Sequence, residues 1–265
     1  MDNNVQVLKR IKVVTFGKFA DEEAGTEYGL PNQWAGAKSV DEQVGILPDL
    51  LKTNPNAETK KFLQEGLPRW FDLEWPEWID GFFTCLNPLV DYRSQLFGKI
   101  IPALAKKVAE RNWSFTNYRV GQLGDDLLRL NAQTMAAYKE MAEVQKGNFW
   151  VMPMSLANGK RYPGKTCSPR RYLELCGQRE FGIGPSAGLC AVLTHFDERV
   201  QLGKVLRLDF PGVKYDHHDH HDASERYSFV PCLEWEDGGW ASLGIAHPAG
   251  CSSGFASVLG LLPQQ

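Results

Sequence analysis

The stretch RYSFVPCLEWEDGGWASLGIAH, residues 226–247, decides the class of this chain. Two apolar runs, 226–235 and 240–247, flank Asp237-Gly238. That dipeptide is favoured in two-residue hairpin turns because glycine accepts positive φ. A two-residue turn there sets Trp235 opposite Trp240 as a cross-strand aromatic pair. Outward from the hairpin, Leu206, Leu208 and Phe210 alternate with Arg207 and Asp209, the period-two pattern of a half-buried strand. Residues 149–154 are a short apolar run that reads as a further strand.

Toward the N-terminus the period lengthens to that of helices. The longest helical pattern covers residues 121–146, where Leu123, Leu127, Leu130, Met135, Tyr138 and Met141 share a face. Asp125 and Asp126 near its start and Lys146 at its end suit the helix dipole, and Gly147-Asn148 ends it. Residues 91–111 repeat Leu96, Phe97, Ile100, Ile101, Leu104 and Val108 at helical spacing, with a kink or fresh start at Pro102. Residues 40–53 read as a helix broken by Pro48, and a short helix follows with Phe62, Leu63 and Leu67 on one side. Residues 18–39 read as loop, and 9–17 as a short strand around Ile11, Val13 and Val14. Past residue 147, Ser168-Pro169 opens a helix that runs to Cys176 and stops at Gly177. Residues 186–198 form another helix, with Ser186 as its cap.

These elements predict an α+β fold, a helical, aromatic-rich N-terminal half packed on an antiparallel, β-rich C-terminal half. One compact unit spanning 1–265 is expected, with a seam near Gly147 between mainly helical residues 1–147 and mixed, β-rich residues 148–265.

Composition narrows the function classes. Of 265 residues, 43% are hydrophobic and 23% charged, as in folded globular proteins. The formal net charge of −3 supplies no basic excess for a phosphate backbone, which argues against nucleic acid as a partner. The first residues lack the apolar core of a signal peptide, and no apolar run approaches the roughly 20 residues of a membrane helix. None of the six cysteines forms a C-x-x-C pair. The expectation is a soluble, intracellular, cytoplasmic protein with reduced thiols.

Four places hold residues that could do chemistry. Four of the six histidines fall within residues 217–221, as His217, His218, His220 and His221, between Asp216 and Asp222. Imidazole and carboxylate are ligands for zinc and other divalent transition metals, so the expected cofactor, if the loop binds one, is of that kind. The cluster lies between two expected strands, where a polar loop is also a plain solvated connection, or a set of groups titrating near neutrality.

Gly184-Pro185-Ser186-Ala187-Gly188 matches G-x-S-x-G between a short apolar run and a helix, the setting of a nucleophile elbow. Ser186 would attack an acyl carbon, with His247 as base and Asp209 orienting it. The motif resembles the elbow of patatin-like lipases, and Asp237-Gly238-Gly239 resembles their Asp-Gly-Gly acid. The resemblance implies a serine hydrolase; the glycine-rich oxyanion segment of that family is not seen, and the hairpin accounts for Asp237-Gly238. Gly250-Cys251-Ser252-Ser253-Gly254 follows His247 closely, which makes Cys251 a candidate thiol nucleophile.

Arg161, Lys165, Arg170 and Arg171 form a basic group able to hold a phosphate or carboxylate, or to stay solvated. Finally, Trp70, Phe71, Trp75, Trp78, Phe82 and Phe83 are interleaved with Asp72, Glu74, Glu77 and Asp80. So many rings docking on the core is the first reading, and a surface for a protein partner the second. The leading expectation is a non-catalytic binding or accessory protein. Its alternatives are an esterase-like hydrolase using Ser186 or Cys251, and a metal-binding protein using the histidine loop.

Overall fold

The computed structural model describes residues 17–25, 36–90, 92–120, 122, 127–156, 165–196, 207–216, 229–236, 239–247, 249–250 and 255–263. In chain order they form β1 (Glu23–Gly25), α1 (Val40–Leu51), α2 (Ala57–Lys61), α3 (Leu67–Phe71), β2 (Gly81–Leu86), α4 (Tyr92–Gln95), α5 (Ile101–Glu110) and β3 (Ser114–Asn117). Then come β4 (Leu128–Leu130), α6 (Ala132–Val144), β5 (Phe149–Ser155), β6 (Lys165–Cys167), α7 (Pro169–Leu175), β7 (Glu180–Gly182) and α8 (Pro185–Thr194). The last strands are β8 (Arg207–Asp209), β9 (Val213–Tyr215), β10 (Val230–Glu236), β11 (Trp240–Ala246), β12 (Phe255–Ser257) and β13 (Leu259–Leu261). The class is α+β.

A five-stranded sheet runs β12-β8-β10-β11-β3, and a four-stranded sheet runs β2-β5-β13-β7. The second is antiparallel throughout; the first is mixed, with β3 parallel to β11 and β12 parallel to β8. Strands from either side of Gly147 pair with each other, β2 with β5, β3 with β11 and β4 with β9. One core cluster holds Leu47, Ile100 and Leu104 together with Trp150, Phe181, Leu208 and Leu243. Helix α8 lies within it, buried at every residue, and packs on β2, α1 and α5. Gly188 allows this, since a Cβ there would stand 2.4 Å from the Phe210 ring. Among the described residues no helix is long and apolar enough to cross a membrane.

Two prolines are accommodated by the same device. A π-helical turn, Phe62–Gly66, precedes Leu67-Pro68, and another, Leu96–Ile100, precedes Ile101-Pro102. A proline ring collides with the carbonyl four residues back. In both places the preceding N–H bonds five residues back instead, Leu67 to Phe62 and Ile101 to Leu96. The widened turn makes room for the ring and the helix goes on. Pro48 does not break its helix either. It falls in the final turn of α1, which ends at left-handed Lys52.

Paired strand edges are completed by buried amides. Gln43, fully buried on α1, donates to Phe82 O at 2.7 Å and accepts from Thr84 N at 2.8 Å, along the outer edge of β2. Gln145 does the same for Val151 on β5, at 2.9 and 2.7 Å, beyond the residues that β13 covers. Each side chain takes the place of a missing strand.

Several expectations are corrected. Of the helix expected over 121–146, Ala132–Val144 forms α6, and residues 121 and 123–126 lie outside the described residues. Leu128–Leu130 is instead a strand, paired with Val213–Tyr215, a partner far away in sequence. Asn131 divides the two: its side chain accepts from Thr134 N at 2.7 Å, capping α6, and donates to Pro211 O at 2.7 Å. The hairpin is one residue longer than expected. Glu236 pairs with Trp240 and Trp235 with Ala241, so the tryptophans are not opposed. Gly239 at φ 85 is the reason, a left-handed third residue as in three-residue hairpin loops. Asp209 is buried rather than outward-facing, because both faces of β8 are covered. Residues 18–39 include β1. The strand expected over 9–17 lies, Gly17 apart, outside the described residues.

Candidate functional site

Ser186 stands in the first turn of α8, after β7 and the link Ile183-Gly184, so strand, turn and helix follow in the expected order. Gly184, not Ser186, is the cap. Ser186 is fully buried, and among the described residues its Oγ has no hydrogen-bond partner. Close by, Gly184 N donates to Tyr138 OH at 3.1 Å and Gly212 N to Ile183 O at 3.1 Å.

Asp209 faces a different group. Its carboxylate accepts from Arg207 Nε at 2.8 Å, and Arg207 also reaches Glu234 at 3.3 Å. Burial pushes the Asp209 carboxyl up to about 6, against the pull of Arg207. His247 is exposed, accepts from Ala249 N at 3.2 Å on Nδ1, and packs edge-on to Phe229. It also lies near enough to Glu22 to help hold that carboxyl below its usual range. Asp209 aligns with Cys232 and Cys232 with Gly244, three residues before His247. At about 3.3 Å per residue and about 4.8 Å between strands, the Cα atoms of Asp209 and His247 stand roughly 14 Å apart, too far for a carboxylate to orient an imidazole. Ser186, Asp209 and His247 are thus not brought together.

Cys251 and the histidines at 217, 218, 220 and 221 lie outside the described residues. Among those described, no three His, Cys, Asp or Glu side chains gather as a metal site. The described cysteines are unbridged. Burial pushes the Cys167 and Cys190 thiols up to about 12, which leaves them without nucleophilic thiolate. His195 is a packing residue: buried, it accepts Lys38 N on Nε2 at 2.8 Å and lies edge-on to Phe83.

The aromatic segment divides between the two expectations made for it. Trp70, Trp78 and Phe83 are buried. Phe71 is 54% exposed and meets Phe82 edge-on at 5.0 Å, and Phe82 meets Trp75 at 5.2 Å. Trp75 is held by its Nε1, which donates to Trp70 O at 2.7 Å. Beside it opens a cleft of about 330 Å³, with Leu73, Glu74, Trp75 and Pro76 on one wall and Arg179, Leu261 and Leu262 on the other. Arg179 is anchored by Leu262 O at 3.2 Å and faces Glu140 at 3.5 Å. The second wall carries no sequence signal, because β13 brings it across only once the four-stranded sheet has formed.

Comparison of the chain with protein-family models, with curated proteins and with solved structures returned no match.

Proposed function

We propose that this chain is a non-catalytic binding protein, and that the cleft beside Trp75 receives an apolar side chain of a protein partner. One observation carries the reading: apolar walls from Leu73, Trp75, Pro76, Leu261 and Leu262 meet one acid and one base, Glu74 and Arg179, and the exposed Phe71 lies along the same aromatic ladder. Apolar lining with a few fixed polar groups is the usual make-up of a binding cleft. Rings already held in place lose little freedom when a partner docks, and large aromatic anchors carry much of the energy at interfaces.

A displayed peptide library selected against the full chain tests this. Enriched peptides should share a large apolar anchor, and Trp75→Ala should weaken their binding at least tenfold. Binding indifferent to Trp75→Ala sinks the proposal. The hydrolase alternative draws support from the strand–turn–helix order around Ser186, while the burial of that residue speaks against it. A fluorophosphonate probe that labels the chain and fails on Ser186→Ala would favour it. Metal content of untagged protein, beside a variant with His217, His218, His220 and His221 all changed to Ala, decides the metal-binding alternative.

A further inference from the structure

Residues 17–25 form a strap across α7, joined to the body by the three-residue pairing of β1 with β6. None of its residues is buried. Its side-chain anchors are mainly charged. Glu22 accepts Arg170 Nε at 2.8 Å on each oxygen, and also Ser168 Oγ. Glu23 accepts Arg171 Nε and Nη2 at 3.0 and 2.9 Å on one oxygen, and Lys165 Nζ at 2.8 Å on the other. Glu174, on α7 itself, holds Arg171 Nη1 at 2.7 Å from another side and accepts the backbone N–H groups of Lys18 and Phe19. The Phe19 ring lies 4.4 Å from the Arg170 guanidinium carbon.

Of the basic group noted in the sequence, Arg161 lies outside the described residues, and Lys165, Arg170 and Arg171 are occupied by carboxylate from the same chain. Guanidinium offers its parallel N–H groups to carboxylate and phosphate in the same geometry. We propose that Lys165, Arg170 and Arg171 form a binding site for a small phosphomonoester dianion, and that the strap fills this site in cis with Glu22 and Glu23.

Three features support the assignment. The strap's anchors are contacts that an incoming anion can replace, since the strap adds no side chain to the hydrophobic core. Glu22 and Glu23 bring two negative charges to Lys165, Arg170 and Arg171, and a dianion that replaces them brings the same number. Arg171, its side chain 5% exposed, stays held by Glu174 whether or not the strap is in place, so part of the site is preorganised.

Inorganic phosphate is the probe. Titration calorimetry on the full chain and on a Glu22→Gln/Glu23→Gln variant should show at least tenfold tighter phosphate binding in the variant. Adding Arg170→Gln and Lys165→Gln should remove that gain. Equal affinity in the unaltered chain and the double variant overturns the proposal, as does a gain that survives the loss of both cations. If the double variant fails to fold, tryptic cleavage after Lys18 in the unaltered chain decides. At constant ionic strength, phosphate should speed that cleavage several-fold over chloride, and equal rates overturn the proposal.

Discussion

Helix α1 and the strap of residues 17–25 each lie along the edge of a strand, and polar groups fasten both. Gln43 on α1 is fully buried and bonds the backbone of β2. Glu22 and Glu23 on the strap bond two cations at the surface, Lys165 and Arg170, together with the buried Arg171. The difference is in what replaces each bond when it breaks. Thr84 is fully buried under α1 and Phe82 half-buried, so losing Gln43 strands the Thr84 N–H and leaves Phe82 O without its partner. At the strap, water and salt ions stand ready, and the same number of bonds is worth far less. Buried polar contacts are obligatory here; exposed ones are exchangeable.

Substituting Gln43→Leu should have the largest effect, with a loss of about 3 kcal/mol in urea unfolding, from two unsatisfied backbone groups at 1–3 kcal/mol each. A loss below about 1 kcal/mol would mean that water enters the β2 edge, and the contrast would fail. Asn131→Ala comes next, at about 2 kcal/mol, because it removes both the cap of α6 and the bond to Pro211 O. Thermal unfolding of that variant checks it.

The pH response should separate the strap from the buried strand β8 by sign. Ion pairing holds the carboxyls of Glu22 and Glu23 below 4.5, chiefly through Arg170 and Lys165. Their contribution is complete above 4.5 and is lost as pH falls through the lowered folded values. Asp209 behaves oppositely. Its folded pKa of about 6 exceeds the ordinary 3.8, so acidification from about 6 toward 3.8 adds a proton to the folded state first and stabilises it. Hydrogen-exchange protection factors at residues 23–25, taken relative to the intrinsic rate at each pH, should therefore fall below pH 4.5 while those of β8 and β10 amides hold. Asp209→Asn should flatten the stability profile between pH 4 and 6; an unchanged profile would refute the role given to its burial. The smallest effect is expected at the cleft, where Phe71→Ser should change stability by no more than about 0.5 kcal/mol, since that ring is half in solvent. A larger loss would make Phe71 part of the core and not of a binding surface.

Much of the architecture is legible in local pattern. The apolar spacing over 40–53 is α1, Ser168-Pro169 starts α7, and the apolar run at 149–154 is β5. Gly121–Lys146 misleads because Leu127 and Leu130 fit a helical face and a strand equally well. What decides is Val213–Tyr215, whose backbone offers Leu128–Leu130 a ladder that no nearby residue could supply. The candidate sites divide in the same way. Rings at Trp75 and Phe82, and the basic cluster at Lys165, Arg170 and Arg171, stand out in the sequence because their residue types are dense.

What faces them does not stand out. The chain by itself determined which segments are apolar, where helices can begin, and that residues 226–247 turn back on themselves, since these depend on neighbours within a few positions. Only the tertiary structure decided that Arg179 and Leu262 close a cleft on Trp75, that Glu22 and Glu23 cover the arginines, and that Asp209 stands far from His247. Each of those pairings joins residues distant in sequence, and which distant groups meet is set by strand register and by burial of the whole core, quantities that no local pattern encodes.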